Sequence, residues 1–350
     1  MKKKGIDRRD FLVGAAAAVT LAGCHSETKP RGEFELPEPT AAQRAKRRQE
    51  AQSTVAIVKC KSYDDDIFAR VKDHLDELEL PSLKGKRVVL KPNMVEIEHG
   101  HPITTNPAVL AAAAHLADYL GAKEMIVAEG PGHMRDTEML LRQSGLGAMA
   151  KKLGLPFIDL NLDDIEAVNV ADTWTGLHEV FMPKTILDAD AVISVPKMKT
   201  HHWVGVTCSM KNMFGTVPGR KYGWPKNILH IKGIPRWILD LQHIVNPTFA
   251  LVDAIVAMEG DGPINGTGID TGFVVVGKDL AAVDATCCRT MDISLDDIPY
   301  IKTAGLVVGN VDENAIKVVG APISEVKRQF KKPITLLEKG LLANAAHQGS

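Results

Sequence analysis

From Thr54 onward the chain alternates short, almost wholly apolar runs with stretches of helical periodicity, and this rhythm limits the fold more than any other feature. The runs fall at 55–58, 87–90, 125–128, 157–158, 191–195, 249–256, 273–276 and 316–319. Helical patterns follow several of them, at 64–80, 106–120, 137–153 and 280–291. A strand buried on both faces needs apolar residues at every position, not every second one. Such strands alternating with helices predict an α/β fold with a mainly parallel sheet and helices on both faces. The absence of an obvious linker suits one large domain at 54–320, or two intimately joined lobes, with 321–350 as a C-terminal extension.

The first 23 residues read as a processing segment outside that fold. Lys2, Lys3, Lys4, Arg8 and Arg9 precede an apolar run at 11–23 that is too short to span a bilayer permanently and has the layout of an export signal. Asp7-Arg8-Arg9-Asp10-Phe11-Leu12 resembles the twin-arginine motif, with Asp7 and Val13 departing from the usual flanks. Leu21-Ala22-Gly23-Cys24 resembles a bacterial lipoprotein box, which implies cleavage before Cys24 and acylation of its thiol. Residues 24–52 are polar, with Pro30, Pro37 and Pro39 and a basic stretch at 44–48, and read as a tether ending in a short helix. The expectation is an exported protein, lipid-anchored at the periplasmic side or the cell surface, whose partners include the membrane and the twin-arginine export machinery. Removing a segment with five basic and two acidic residues takes the formal charge from −1 to −4, which gives no support to nucleic-acid binding.

Without Cys24, the cysteines are Cys60, Cys208, Cys287 and Cys288, and no spacing among them matches a zinc or iron–sulfur pattern. They read as small buried hydrophobes. No G-x-G-x-x-G follows the first strand, and neither a P-loop nor a G-x-S-x-G elbow occurs, so the commonest dinucleotide, NTPase and hydrolase readings fall away. The sequence identifies no cofactor. His99, His101, His201, His202 and His230 could together form a metal site, although none has the helical H-x-x-x-H spacing.

In open parallel sheets ligands bind beyond the carboxyl ends of the strands, so polar residues just after each apolar run matter most. Lys91 and Asn93 close the second strand, and Lys197, Lys199 and His201, spaced by two, project together after the run at 191–195. Lys211 and Asn212 open a short helix, and His230 follows a Gly/Pro/Lys loop resembling a lid. Asp253 lies within a strand and needs a partner, for which a lysine of the central block is the candidate; Glu259 and Asp261 follow in a glycine-rich exit. Asp284 sits half-buried and paired in the helix at 280–291, and Glu129-Gly130-Pro131-Gly132 reads either as ordinary turn chemistry or as a turn whose glycines let the backbone approach a ligand.

Lys91-Pro92-Asn93, Lys197-Met198-Lys199-Thr200-His201, Lys211-Asn212-Met213-Phe214-Gly215, His230, the segment 253–263 and Ala282-Val283-Asp284 occur together in this order. The ensemble resembles the DUF362 family over about residues 54–320. The resemblance implies an α/β domain of uncharacterised activity. Many relatives carry a ferredoxin-like extension with clustered cysteines, and this chain has none.

The leading expectation is an enzyme acting on a small anionic molecule. Lys91, Lys197 and Lys199 hold a carboxylate or phosphate, Lys199, His201 and Lys211 carry the chemistry, and His201 and Lys211 exchange protons. Asn93 and Asn212 orient the ligand, Glu259 or Asp284 sets the charge of the pocket, and His230 and Asp253 complete the ligand-binding set. The alternatives are an envelope binding protein for an anion, cofactor or metal, and a redox accessory protein.

Overall fold

Both faces of the central strands are covered, which explains why their apolar runs are unbroken. In the computed structural model, which describes residues 36–48, 50–98, 100–132, 136–223, 226, 229, 233–334 and 336, side chains of one strand divide between two apolar layers. Val88 and Leu90 join one layer and Val89 the other; Val127 joins the first, and Ile126 and Ala128 the second. The signal-like segment with Cys24, together with His99 and His230, lies outside the described residues.

The strands are β1 (Ser53–Lys59), β2 (Arg87–Pro92), β3 (Glu124–Glu129), β4 (Phe157–Asp159), β5 (Ile165–Asn169), β6 (Glu179–Pro183), β7 (Ala191–Val195), β8 (Lys197–His201), β9 (Gly205–Thr207), β10 (Phe249–Glu259), β11 (Thr267–Gly277) and β12 (Ile316–Gly320). Among the described residues, all except β5 and β6 belong to one sheet. Its main path runs β12-β1-β11-β10-β7-β2-β3-β4, and β8 and β9 branch from β10. Strands β4, β3, β2, β7 and β10 are mutually parallel, as are β1 and β12, whereas β11 runs antiparallel to both its neighbours. The fold is therefore α/β with a mainly parallel sheet.

One layer is covered by α1 (Pro107–Tyr119), whose start is fixed by Pro107 and by the Asn106 side chain accepting from Ala108 N at 2.9 Å. On the other lie α2 (Ser209–Asn212) and α3 (Ile234–Ile244), the latter contributing the buried Trp237 and Leu241. Helix α4 (Leu280–Thr290) packs against α2 and is buried almost throughout.

The sheet departs from the expected rhythm at Pro196. Proline cannot donate to a ladder, and β10 changes partner there, from β7 at Phe249↔Ile193 and Ala250↔Ser194 to β8 at Asp253↔Lys197. The segment read as a strand exit is thus a strand of its own. It pairs back with β9, through Lys199↔Thr207 and His201↔Gly205, and projects beyond the carboxyl end of the parallel sheet. The hairpin of β5 and β6 is a second difference. Its exposed, charged alternation (Ile165-Glu166-Ala167-Val168-Asn169) lacks the apolar continuity that marked the buried strands.

Candidate functional site

Beyond the ends of β2, β3 and β7, and against the β8–β9 hairpin, lies a cavity of about 490 Å3. Asn93, Lys199, His201, Lys211 and Asn212 of the expected residues line it, joined by Lys226, Glu129 and Asp261. Lys91, Lys197, Asp253, Glu259 and Asp284 stand behind or beside its wall.

Two of the lysines are neutralised by buried acids. Lys91 Nζ meets Glu129 Oε2 at 2.6 Å and donates to Pro92 O at 3.0 Å and Asn212 Oδ1 at 3.3 Å. Glu129 also accepts from Gly130 N and Met94 N, so its oxygens are satisfied. Gly215 is obligatory here, because a Cβ on it would overlap Glu129 Oε1 and lie 2.5 Å from Lys91 Nζ. Lys197 Nζ meets Asp253 Oδ2 at 2.6 Å, which is the partner expected for that strand acid. It donates further to Tyr63 Oη at 2.9 Å and Val256 O at 3.1 Å, and Asp253 in turn accepts from Asn106 N at the start of α1. Burial pulls the pKa of both lysines down, and the facing carboxylates oppose that pull.

The remaining lysines are different. Lys199 is buried without a carboxylate partner among the described residues; its Nζ donates to Asn93 Oδ1 and to Ile103 O, both at 2.7 Å. Burial, then the positive charges of Lys211 and Lys197, hold its pKa well below the usual lysine value. Lys226 donates to Gly130 O at 2.6 Å and Phe214 O at 3.4 Å, and burial lowers it to about 7. Lys211 is partly buried and makes no hydrogen bond or ion pair among the described residues. Its Nζ lies 5.2 Å from the centre of the Phe214 ring, and burial lowers its pKa to about 8.

Helix α2, which carries Lys211 and Asn212, is held from below. Asp284 accepts from Ser209 N at 2.7 Å, from Ser209 Oγ and from Met210 N at 3.1 Å, satisfying donors that a helix start leaves unpaired. Burial pushes the Asp284 carboxyl up to about 6, against those hydrogen bonds. Its place is therefore beneath the site. Glu259 likewise faces the C-terminal segment, accepting from Lys331 N and pairing with Lys331 Nζ at 3.1 Å.

The mouth is aromatic. His201 Nδ1 accepts from Trp203 N at 3.0 Å and Val204 N at 3.4 Å, which puts the proton of the neutral ring on Nε2. Its ring stacks on His202 at 5.1 Å, and His202 meets the half-exposed Trp203 edge-on at 4.7 Å. His101 Nδ1 is turned to Gly266 O at 2.6 Å. No group of three or more His, Cys, Asp or Glu among the described residues is placed to hold a metal ion. The four cysteines Cys60, Cys208, Cys287 and Cys288 are buried thiols.

Sequence reasoning missed Glu129 and Lys226. Glu129 carried a usable signal, an acid ending a strand beside the strand that ends in Lys91 (β2 pairs with β3). Lys226 sits in the loop read as a lid, and nothing in that stretch distinguished it from its neighbour Lys221.

A thylakoid-associated protein of Synechocystis sp. is 26% identical over 222 residues, covering 61% of this chain and 66% of that protein, so the match spans slightly less than two thirds of the relative. Among solved structures, the lactate racemase apoprotein of Thermoanaerobacterium thermosaccharolyticum matches with a TM-score of 0.40 and 14% identity, over 75% of this chain and 62% of that one. A structural-genomics crystal structure from Thermotoga maritima matches with a TM-score of 0.38 and 13% identity, over 65% and 60% of the two chains. The model of the family described as a domain of unknown function, DUF362, matches residues 88–289, more than half of the sequence, and the chain belongs to that family.

Proposed function

We propose that the cavity is the active site of an enzyme acting on a small anionic molecule that bears a carboxylate or phosphate. Lys199 and Lys226 hold the anionic group, Asn93 and Asn212 orient it, and Lys211 and His201 exchange protons with the ligand. One observation carries this reading: three lysines open on one cavity, and two of them, Lys199 and Lys211, face no carboxylate among the described residues. Clustered cations without counter-charges disfavour their own protonation, and an anionic guest restores it. Trp203, Phe214 and Ile264 supply an apolar wall for the rest of the ligand.

We read the chain as exported and lipid-anchored, on residues 7–12 and 21–24. The test of the catalytic reading is mass spectrometry of the small molecule that co-purifies with the full-length chain. The expected result is an anion lost from Lys199→Met and converted on incubation with wild-type protein. An anion recovered unchanged supports carriage instead, and a neutral or cationic ligand refutes the charge argument.

A further inference from the structure

The lysines around the cavity differ in what occupies their amines. Lys91 and Lys197 are engaged by carboxylates, Lys199 by an amide and a peptide oxygen, and Lys226 by peptide oxygens. Lys211 alone among these five has neither a hydrogen-bond acceptor nor an ion-pair partner among the described residues. It nevertheless lines the cavity, beside the Phe214 ring, together with Lys199 and Lys226. An amine so placed is a poor anion clamp, since nothing orients its N–H bonds. It can act as a nucleophile, since no acceptor among the described residues ties it in one direction and burial disfavours its charged form more than the face of the Phe214 ring favours it.

We propose that Lys211 condenses with the carbonyl of a small 2-oxo acid, forming an imine while Lys199 and Lys226 hold the carboxylate. This rests on the anion-site reading above and narrows its ligand to an anion with a carbonyl next to the charge. The Nζ lone pair adds to the carbonyl carbon, and the C=O π pair moves to oxygen, which takes up a proton. That hydroxyl leaves as water with a second proton from a cavity ammonium, for which Lys226, lowered by burial to about 7, is suited. The amine loses a proton in the addition step, so the net change is amine plus carbonyl plus one proton giving a protonated imine plus water. Burial supports the first step by lowering Lys211 to about 8, so that about a tenth is free amine at pH 7, far more than for an ordinary lysine.

Borohydride tests the assignment directly, because hydride addition to the imine carbon converts it to a stable secondary amine. Full-length protein is incubated with pyruvate, and separately with 4-methyl-2-oxopentanoate to fill the apolar wall, then reduced and mapped by peptide mass spectrometry. The expected result is a reduced adduct on Lys211 of the wild-type chain, lost in Lys211→Arg and retained in Lys221→Arg. Mapping the wild-type chain locates the adduct even if the variant misfolds. An adduct on Lys199 or Lys226, or none with either oxo acid, overturns the imine. Sulfate binding measured in parallel keeps the two readings apart: if sulfate binds and no adduct forms, the anion site stands without covalent chemistry.

Discussion

Sulfate is a direct probe of the cavity charge because it carries no titrating proton near neutrality. In the empty pocket burial holds Lys211 at about 8 and Lys226 at about 7. At pH 7.5 the first is about three-quarters protonated and the second about one-quarter, so the pair lacks about one proton. A bound dianion favours the charged form of each. Sulfate binding at pH 7.5 therefore takes up about one proton from this pair, and Lys199, whose pKa burial and its cationic neighbours also hold down, adds uptake of the same sign.

The sign fixes the pH dependence. These lysines bind fewer protons in the empty site than in the occupied one, so affinity falls as pH rises through about 7 to 8. At pH 6 the pair is nearly full before ligand arrives, and its uptake drops to about a tenth of a proton. Titration calorimetry in buffers of different ionisation enthalpy counts these protons. Lys226→Met should remove about three-quarters of a proton of uptake at pH 7.5, and Lys211→Met about one-quarter. Equal binding enthalpies in all buffers at pH 7.5, with affinity intact, would falsify the claim that the empty pocket suppresses its own charge.

Three further outcomes are expected. Glu129→Gln strands the buried Lys91 ammonium and costs about 3–5 kcal/mol in denaturant unfolding, whereas Lys91→Met/Glu129→Leu costs clearly less than the two single changes added together; additive costs would mean that the pair is not coupled. Asp284→Ala leaves the Ser209 and Met210 amides without their acceptor and costs about 2–4 kcal/mol. It also weakens sulfate binding, although Asp284 does not line the cavity; unchanged affinity in a folded variant would show that α2 keeps its position unaided. Cys24→Ser abolishes metabolic labelling by palmitate and moves the protein from the membrane to the soluble fraction, and persistent labelling would place the acyl group elsewhere.

The sheet was legible because burial on both faces writes continuous apolar runs into the sequence, as at Ala191-Val192-Ile193-Ser194-Val195. The same logic hid β5 and β6, where exposure dilutes the pattern, and β8, whose five residues are all buried although three of them are Lys197, Lys199 and His201. Polar residues are read as exposed unless something pairs them, and the pairing partners here lie far along the chain. Asp253 announced its need for a cation because an acid inside an apolar strand has few other fates, so its pairing with Lys197 could be anticipated. Glu129 carried a weaker signal, its place at the end of an apolar strand, because an acid before Gly-Pro-Gly is also what a turn looks like.

That difference decides how the lysines should be understood. In sequence Lys91, Lys197, Lys199 and Lys211 form one basic group after strand ends, and all four suit an anion equally well. In the structure Lys91 and Lys197 already hold their acids within the protein, and their role is to lock β2 to β3 and β8 to β10 beneath the cavity. Lys199 and Lys211, with Lys226 arriving from the loop, face the Asn93 amide, peptide oxygens or an aromatic ring, and burial lowers their charge despite those contacts. A buried lysine with no carboxylate destabilises the empty fold at neutral pH, because the unfolded chain binds the proton that the native site gives up. An anion from solution reverses that sign, so ligand affinity and the instability of the empty pocket have a common origin in two lysines that meet no carboxylate among the described residues.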